Sequence, residues 1–148
     1  MNDTMKSAVP WHLWVVGVVG LLWNGYGAYD YVMSHMDGAA AYMASMGMND
    51  AQVAYMDAMP SWMSAPWALG VWGALLGTVL LLLRMKWAFH AFVVSLLGLL
   101  ASLVYTFGMS DGAAVMGTTG MIMNGVVLVG CLFFVWYSRM AMKSGVLR

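Results

Sequence analysis

Two amides and two hydroxyls stand where an otherwise apolar chain has least use for them. Asn24 and Asn124 fall near the middle of long apolar runs, and Ser95 and Ser102 lie about two helical turns apart in a third. An amide surrounded by hydrocarbon is costly without a partner, so it turns into the protein interior. Together the four could hold a small solute by hydrogen bonds. In the competing reading each amide makes an interhelical hydrogen bond worth about 1 kcal/mol that fixes helix register. Asp30, flanked by Tyr29 and Tyr31, is the carboxylate nearest an apolar run. Partly buried, it would hold its proton more tightly and could bind a proton or a cation; hydrated at an interface it would do neither. Asp30 and Tyr31 complete the candidate solute site.

A second group is soft. Met33, Met36, Met43 and Met46 recur at helical offsets with His35 among them. Thioether and imidazole donors suit Cu(I). Methionine is also a flexible packing residue, and with 17 in the chain its abundance here fits adaptable contacts equally well. His12 and His90 sit beside Trp11 and Trp87, and could share a metal only if the first and third apolar runs adjoin.

Reactive constellations are absent from the sequence. It contains no glutamate, no phosphate-binding glycine loop, no HExxH and no nucleophile elbow. Cys131 is the single cysteine and lies inside an apolar run, which excludes an intramolecular disulfide and a cysteine-based metal motif. The expectation is a protein that is not an enzyme and has no cofactor.

These residues must be positioned by helices in a membrane. A chain of 148 residues that is 63% hydrophobic and 8% charged has too little polar surface to cover a water-soluble globule. Crossing the hydrocarbon core takes roughly 20 apolar residues. Four stretches qualify, at about 11–31, 62–83, 87–107 and 114–137, in a single transmembrane domain over 1–148. The first is too long, and too rich in Trp and Asn, for a cleaved signal segment.

Charge sets the expected orientation. Lys6, Arg84, Lys86, Arg139, Lys143 and Arg148 all fall at one end of these runs, and Asp30, Asp37, Asp50, Asp57 and Asp111 at the other. Loops rich in Lys and Arg remain cytoplasmic, so both termini are expected inside. No basic stretch is long enough to suggest nucleic-acid binding. The long outer segment, 32–60, has no Lys or Arg. In it, Gly47 breaks one methionine-bearing run, Asn49 or Asp50 caps a second, and Pro60 stops it, predicting two short amphipathic helices on the outer face.

Small and polar residues form a seam along each run: Gly17, Gly20, Asn24, Gly27 and Tyr31; Pro66, Gly70, Gly73 and Gly77; Ala88, Ala91, Ser95, Gly98, Ser102 and Tyr105; Gly117, Gly120, Asn124, Val127 and Cys131. Inward-facing seams at this spacing predict an all-α, compact four-helix bundle with almost no internal volume. The first and fourth seams share the pattern GxxGxxxNG, from Gly17 to Gly25 and from Gly117 to Gly125.

The stretch Trp23-Asn24-Gly25-Tyr26-Gly27-Ala28-Tyr29-Asp30-Tyr31-Val32-Met33, with Pro66-Trp67-Ala68-Leu69-Gly70-Val71-Trp72-Gly73 and the Leu-rich run ending at Arg84, resembles a group of small four-helix inner-membrane proteins of proteobacteria. These are often labelled sugar transporters. The resemblance implies a bacterial inner-membrane location and a small-solute function, though the shared residues are a packing signature rather than a reaction signature.

Two functional expectations follow, with a third behind them. In the first, the chain binds or transports a small solute such as a sugar, with Tyr26, Trp62 and Trp67 at an outward mouth. Without internal volume this would need a homo-oligomer or a larger assembly. In the second, it is a non-catalytic accessory or scaffold subunit of a larger membrane complex. Asn24 and Asn124 discriminate the two, pointing into a wet cavity for transport or directly at each other for a scaffold. The third is Cu(I) binding by the Met-rich segment.

Overall fold

A computed structural model describes residues 9–36, 39–110 and 112–148, and among these the chain is helical without strands. Lys6, Asp37 and Asp111 of the charge pattern lie outside the described residues. The helices are α1 (Trp11–His35), α2 (Ala39–Ser45), α3 (Asp50–Asp57), α4 (Ser64–Leu82), α5 (Trp87–Val104) and α6 (Gly112–Lys143). A 3₁₀ turn over Ser61–Met63 leads into α4, and a π-helical turn over Tyr105–Met109 ends α5.

Three helical stretches are long and apolar enough to cross a membrane: Ser61–Leu82, Trp87–Met109 and Ala114–Lys143. Of the four spans expected, α1 is the one that falls short. Its 25 residues give sufficient length, but Asn24, Asp30 and its Trp, Tyr and Gly content lower its hydropathy.

Three helices end in the same way. At Gly47 (φ 89°), Arg84 (φ 59°) and Gly145 (φ 82°) the backbone turns left-handed, and paired hydrogen bonds run back to the last turn. Met85 N–H donates to the Leu80 carbonyl and Arg84 N–H to that of Leu81, the pairing of a Schellman cap. Glycine is the usual occupant of such a position, and Arg84 is the exception. Gly47 thereby breaks the methionine run as expected.

Glycines let the long helices approach. Gly70 faces the backbone of Ser95 and Leu99, Gly73 that of Ala91, and Gly98 that of Pro66 and Gly70, so α4 and α5 pack antiparallel at close range. On the other side of α4, Gly17 of α1 meets Leu82 and Gly20 meets Thr78. Phe92 of α5 and Phe134 of α6 stack with ring centroids 5.1 Å apart, and His12 Nδ1 of α1 lies 2.5 Å from Tyr137 Oη of α6.

The dry core is concentrated at the end bearing Arg84, Lys86 and Lys143. Leu13, Leu81, Ala88, Phe92 and Phe134 are buried there together with Leu147. The tail enters this core because Arg148 N–H donates to the Arg84 carbonyl while its own carbonyl accepts from Lys86 N–H.

At the opposite end α2 and α3 fold over the long helices. Asn49 caps α3 in a reciprocal pair, its side chain accepting from Gln52 N–H while Gln52 Oε1 accepts from Asn49 N–H. Tyr42 of α2 donates to Asp30 Oδ1 of α1 at 2.8 Å.

Candidate functional site

The end carrying Asp30 is hollow. A chamber of about 450 Å³ lies between α1, α4, α5 and α6, where the seams were expected to exclude all volume. The difference has an identifiable origin. Close glycine approach occurs mainly between α4 and its two neighbours, whereas α1 and α6 share little close backbone packing. They meet through bulky groups instead: Tyr137 at His12, the Phe134 ring at Gly20, and Trp23 Nε1 near Gly130.

The stacked rings of Phe92 and Phe134 form the chamber's floor and are themselves part of the buried core. Tyr55 and Met56 of α3, with Met59 just beyond its end and Met63, form its roof. The roof is anchored to α6 at a kink. Gly117 has φ 69° and ψ −168°, which takes the carbonyls of Val115 and Met116 out of the regular helical pattern, and Gln52 Nε2 donates to both at 3.4 Å. A hydrogen bond of 2.7 Å between the Tyr55 and Ser110 hydroxyls adds a second anchor.

Asn24, Asp30, Ser95, Ser102 and Asn124 all line this chamber. Their hydrogen-bonding capacity differs. Asn24 is buried; its Nδ2 donates to Thr78 Oγ1 at 2.8 Å and is 3.4 Å from the Ala74 carbonyl, which leaves its oxygen as the unspent group. Ser95 donates to the Gly70 carbonyl at 2.6 Å and Ser102 to the Gly98 carbonyl at 3.0 Å, so both hydroxyls retain only acceptor capacity. Asn124 is half-buried on the facing wall, and among the described residues its carboxamide makes no hydrogen bond. Asn24 and Asn124 therefore do not bond to each other. Thr106 also lines the wall, donating to the Ser102 carbonyl.

Tyr31 stands apart from this site. It packs edge-on against Trp67 and Trp72 and stacks on His35 at 4.2 Å, outside the chamber. Trp67 and Tyr26 line the chamber, while Trp62 packs on Tyr105.

The Asp30 carboxylate acts through Tyr42. Removal of the Tyr42 phenol from water, followed by its hydrogen bond to Asp30 and the negative charge there, pushes its pKa up to about 12. Tyr42 remains a neutral donor to Asp30 well beyond neutral pH.

The methionines expected to act as one set are divided. Met36 and Met46 are more than half exposed, and Met33 lines neither cavity. His35 and Met43 converge instead on a second, smaller cleft behind the roof. Of the two other histidines, His12 bonds to Tyr137 and His90 packs on Trp87.

Sequence reasoning missed Thr78, the Gly117 kink and the docking of the tail. Thr78 carries a readable signal, lying next to Gly77 in the seam and one turn beyond Ala74. No known family, curated protein or solved structure matches this chain.

Proposed function

We propose that this chain is a four-span bacterial inner-membrane protein, with both termini cytoplasmic, that binds a small solute in the outer half of its helix bundle. The chamber carries this reading. At about 450 Å³ it has the size of a small-molecule site, apolar in most of its wall and interrupted by a few convergent polar groups. The scaffold reading would pair Asn24 with Asn124, whereas Asn24 is held by Thr78 and Asn124 retains its full hydrogen-bonding capacity toward the chamber.

Wall chemistry narrows the solute. Met56, Met59, Met63 and Met123 with Trp23 and Trp67 present polarizable apolar surface, and the available polar groups are Asn124, the Asn24 oxygen, the second oxygen of Asp30 and the serine acceptors. A free hexose is hydrated on every face and would exchange many water hydrogen bonds for few. A better match is a neutral molecule with an apolar body and hydroxyl or amide groups at one end. On this reading, transport across the membrane would require the Phe92–Phe134 stack to open.

The test is thermal-shift and calorimetric binding of the detergent-purified protein to two panels, simple sugars and neutral amphiphiles of similar size. Binding of an amphiphile that is lost in Asn124→Leu supports the reading. A protein that binds neither panel, and is recovered from gently solubilised membranes only in a stoichiometric complex, is an accessory subunit instead.

A further inference from the structure

Behind the roof of the chamber lies a cleft of about 210 Å³ whose walls include His35, Met43, Met56, Met59 and Met63, with Asp57 at its edge. Met56, Met59 and Met63 face both cavities, so the roof is a partition built largely of thioethers. Met43 and Met63 are each only 5% exposed. His35 comes from α1, Met43 from α2, Met56 from α3, Met59 from the connection after α3 and Met63 from the turn before α4, segments that no local sequence repeat would bring together.

His35 is oriented as a ligand. Its Nδ1 lies 2.8 Å from the Tyr31 carbonyl, and since a carbonyl can only accept, Nδ1 carries the proton and Nε2 the lone pair. The ring is fixed by stacking on Tyr31 and by Trp67 at 5.0 Å. Among the described residues Nε2 has one polar neighbour, Ser64 Oγ at 3.3 Å, a long and readily exchanged contact. An imidazole whose far nitrogen donates to a backbone carbonyl is the usual outer arrangement of a metal-binding histidine.

The donor set selects the ion. Calcium and magnesium require several oxygens, and structural zinc favours thiolate, imidazole and carboxylate in tetrahedral closure. Thioethers with one imidazole suit a soft monovalent ion, and Asp57 supplies a balancing negative charge. We propose that this cleft binds one Cu(I) ion through His35 Nε2 and the thioethers of Met43, Met59 and Met63. The three rotatable bonds of each methionine let its sulfur adjust toward an ion in the cleft. Met59 and Met63 belong to the walls of both cavities, so the Cu(I) titration is made without any solute present.

A packing role and a ligand role separate cleanly, because Met→Leu conserves apolar volume and removes the sulfur. The full chain, purified in detergent, is titrated as a competitor against the Cu(I) complex of bicinchoninate. One equivalent withdrawn from the chelator is expected, with affinity lowered about tenfold or more in His35→Gln and in Met43→Leu/Met59→Leu/Met63→Leu, and unchanged in Met140→Leu. In parallel, the wild-type protein carrying ¹³C-methyl methionine is titrated with Ag(I), a redox-stable probe. The methyl resonances of Met43, Met59 and Met63 should move together while those of Met121 and Met140 stay. Failure of the wild-type protein to withdraw Cu(I), withdrawal unaffected in folded variants, or Ag(I) shifts spread over all methionines would each overturn the proposal.

Discussion

Asn24 of α1 donates to Thr78 Oγ1 of α4 at 2.8 Å, and the Thr78 hydroxyl in turn donates to the Ala74 carbonyl at 2.9 Å. This relay crosses the helix interface at the wall of the chamber. It spends the amide nitrogen of a chamber-lining residue on the α1–α4 interface and leaves the amide oxygen unspent.

The relay should be measurable as a coupling energy. Thr78→Val keeps the shape and removes the hydroxyl, and is expected to cost about 1 kcal/mol. Asn24→Leu should cost a similar amount. In a double-mutant cycle read by unfolding in detergent, the two should fall short of additivity by about 0.5 kcal/mol or more. Strictly additive losses would mean that the hydrogen bond contributes nothing to the α1–α4 interface.

Gly98 provides a sharper test of the α4–α5 interface. A Cβ there would lie 2.6 Å from the Pro66 carbonyl oxygen and 2.8 Å from Gly70 N, both backbone atoms unable to give way. Gly98→Ala should therefore destabilise the protein by about 1–3 kcal/mol through overpacking. At Gly25 a Cβ meets nothing within 4 Å, so Gly25→Ala should be neutral or stabilising, by up to about 1 kcal/mol from helix propensity. Equal responses in thermal melts would indicate that helix propensity rather than close approach governs these positions.

Tyr42 should give an ultraviolet signature at high pH. With its pKa pushed up to about 12, its phenolate absorbance should appear only as pH passes that value, visible as the difference between wild type and Tyr42→Phe. Asp30→Asn should bring the transition down toward 10, by the share that Asp30 contributes. The folded state prefers the neutral phenol, so the contribution to stability is intact below pH 10 and disappears as pH rises from about 10 through 12. A Tyr42 titration unchanged by Asp30→Asn would place the whole effect in burial.

Local signals in the sequence carried much of the helical organisation. Gly47 ends one run, Asn49 caps the next, and the glycines of α4 and α5 mark the close interface, because caps and close approaches depend on residue type at a fixed offset. The polar residues of the chamber were readable for the same reason, as costly groups in apolar runs. The chamber itself was not, because its volume depends on how far α1 stands from α6, and that spacing is set by bulky contacts between residues remote in sequence such as Gly20 and Phe134. Tyr31 lies outside the chamber for a related reason: it follows Gly27 in the seam, but its ring packs on Trp67 and Trp72 of α4, contacts between residues remote in sequence.

The α6 kink should control the roof. Alanine at Gly117 would occupy a positive-φ, extended-ψ conformation open essentially to glycine alone, at a cost of about 1–3 kcal/mol, and α6 can relieve it by straightening. Straightening returns the Val115 and Met116 carbonyls to the helix and deprives Gln52 of its acceptors. Gly117→Ala is therefore expected to speed hydrogen–deuterium exchange of α3 while leaving the Asn49 cap intact. Gln52→Leu should do the same and also lose one arm of that cap, so its effect should extend to the start of α3 at Asp50. Exchange at α3 that quickens in Gln52→Leu but not in Gly117→Ala would assign the roof's stability to its own capping, with the kink playing no part in holding the chamber closed.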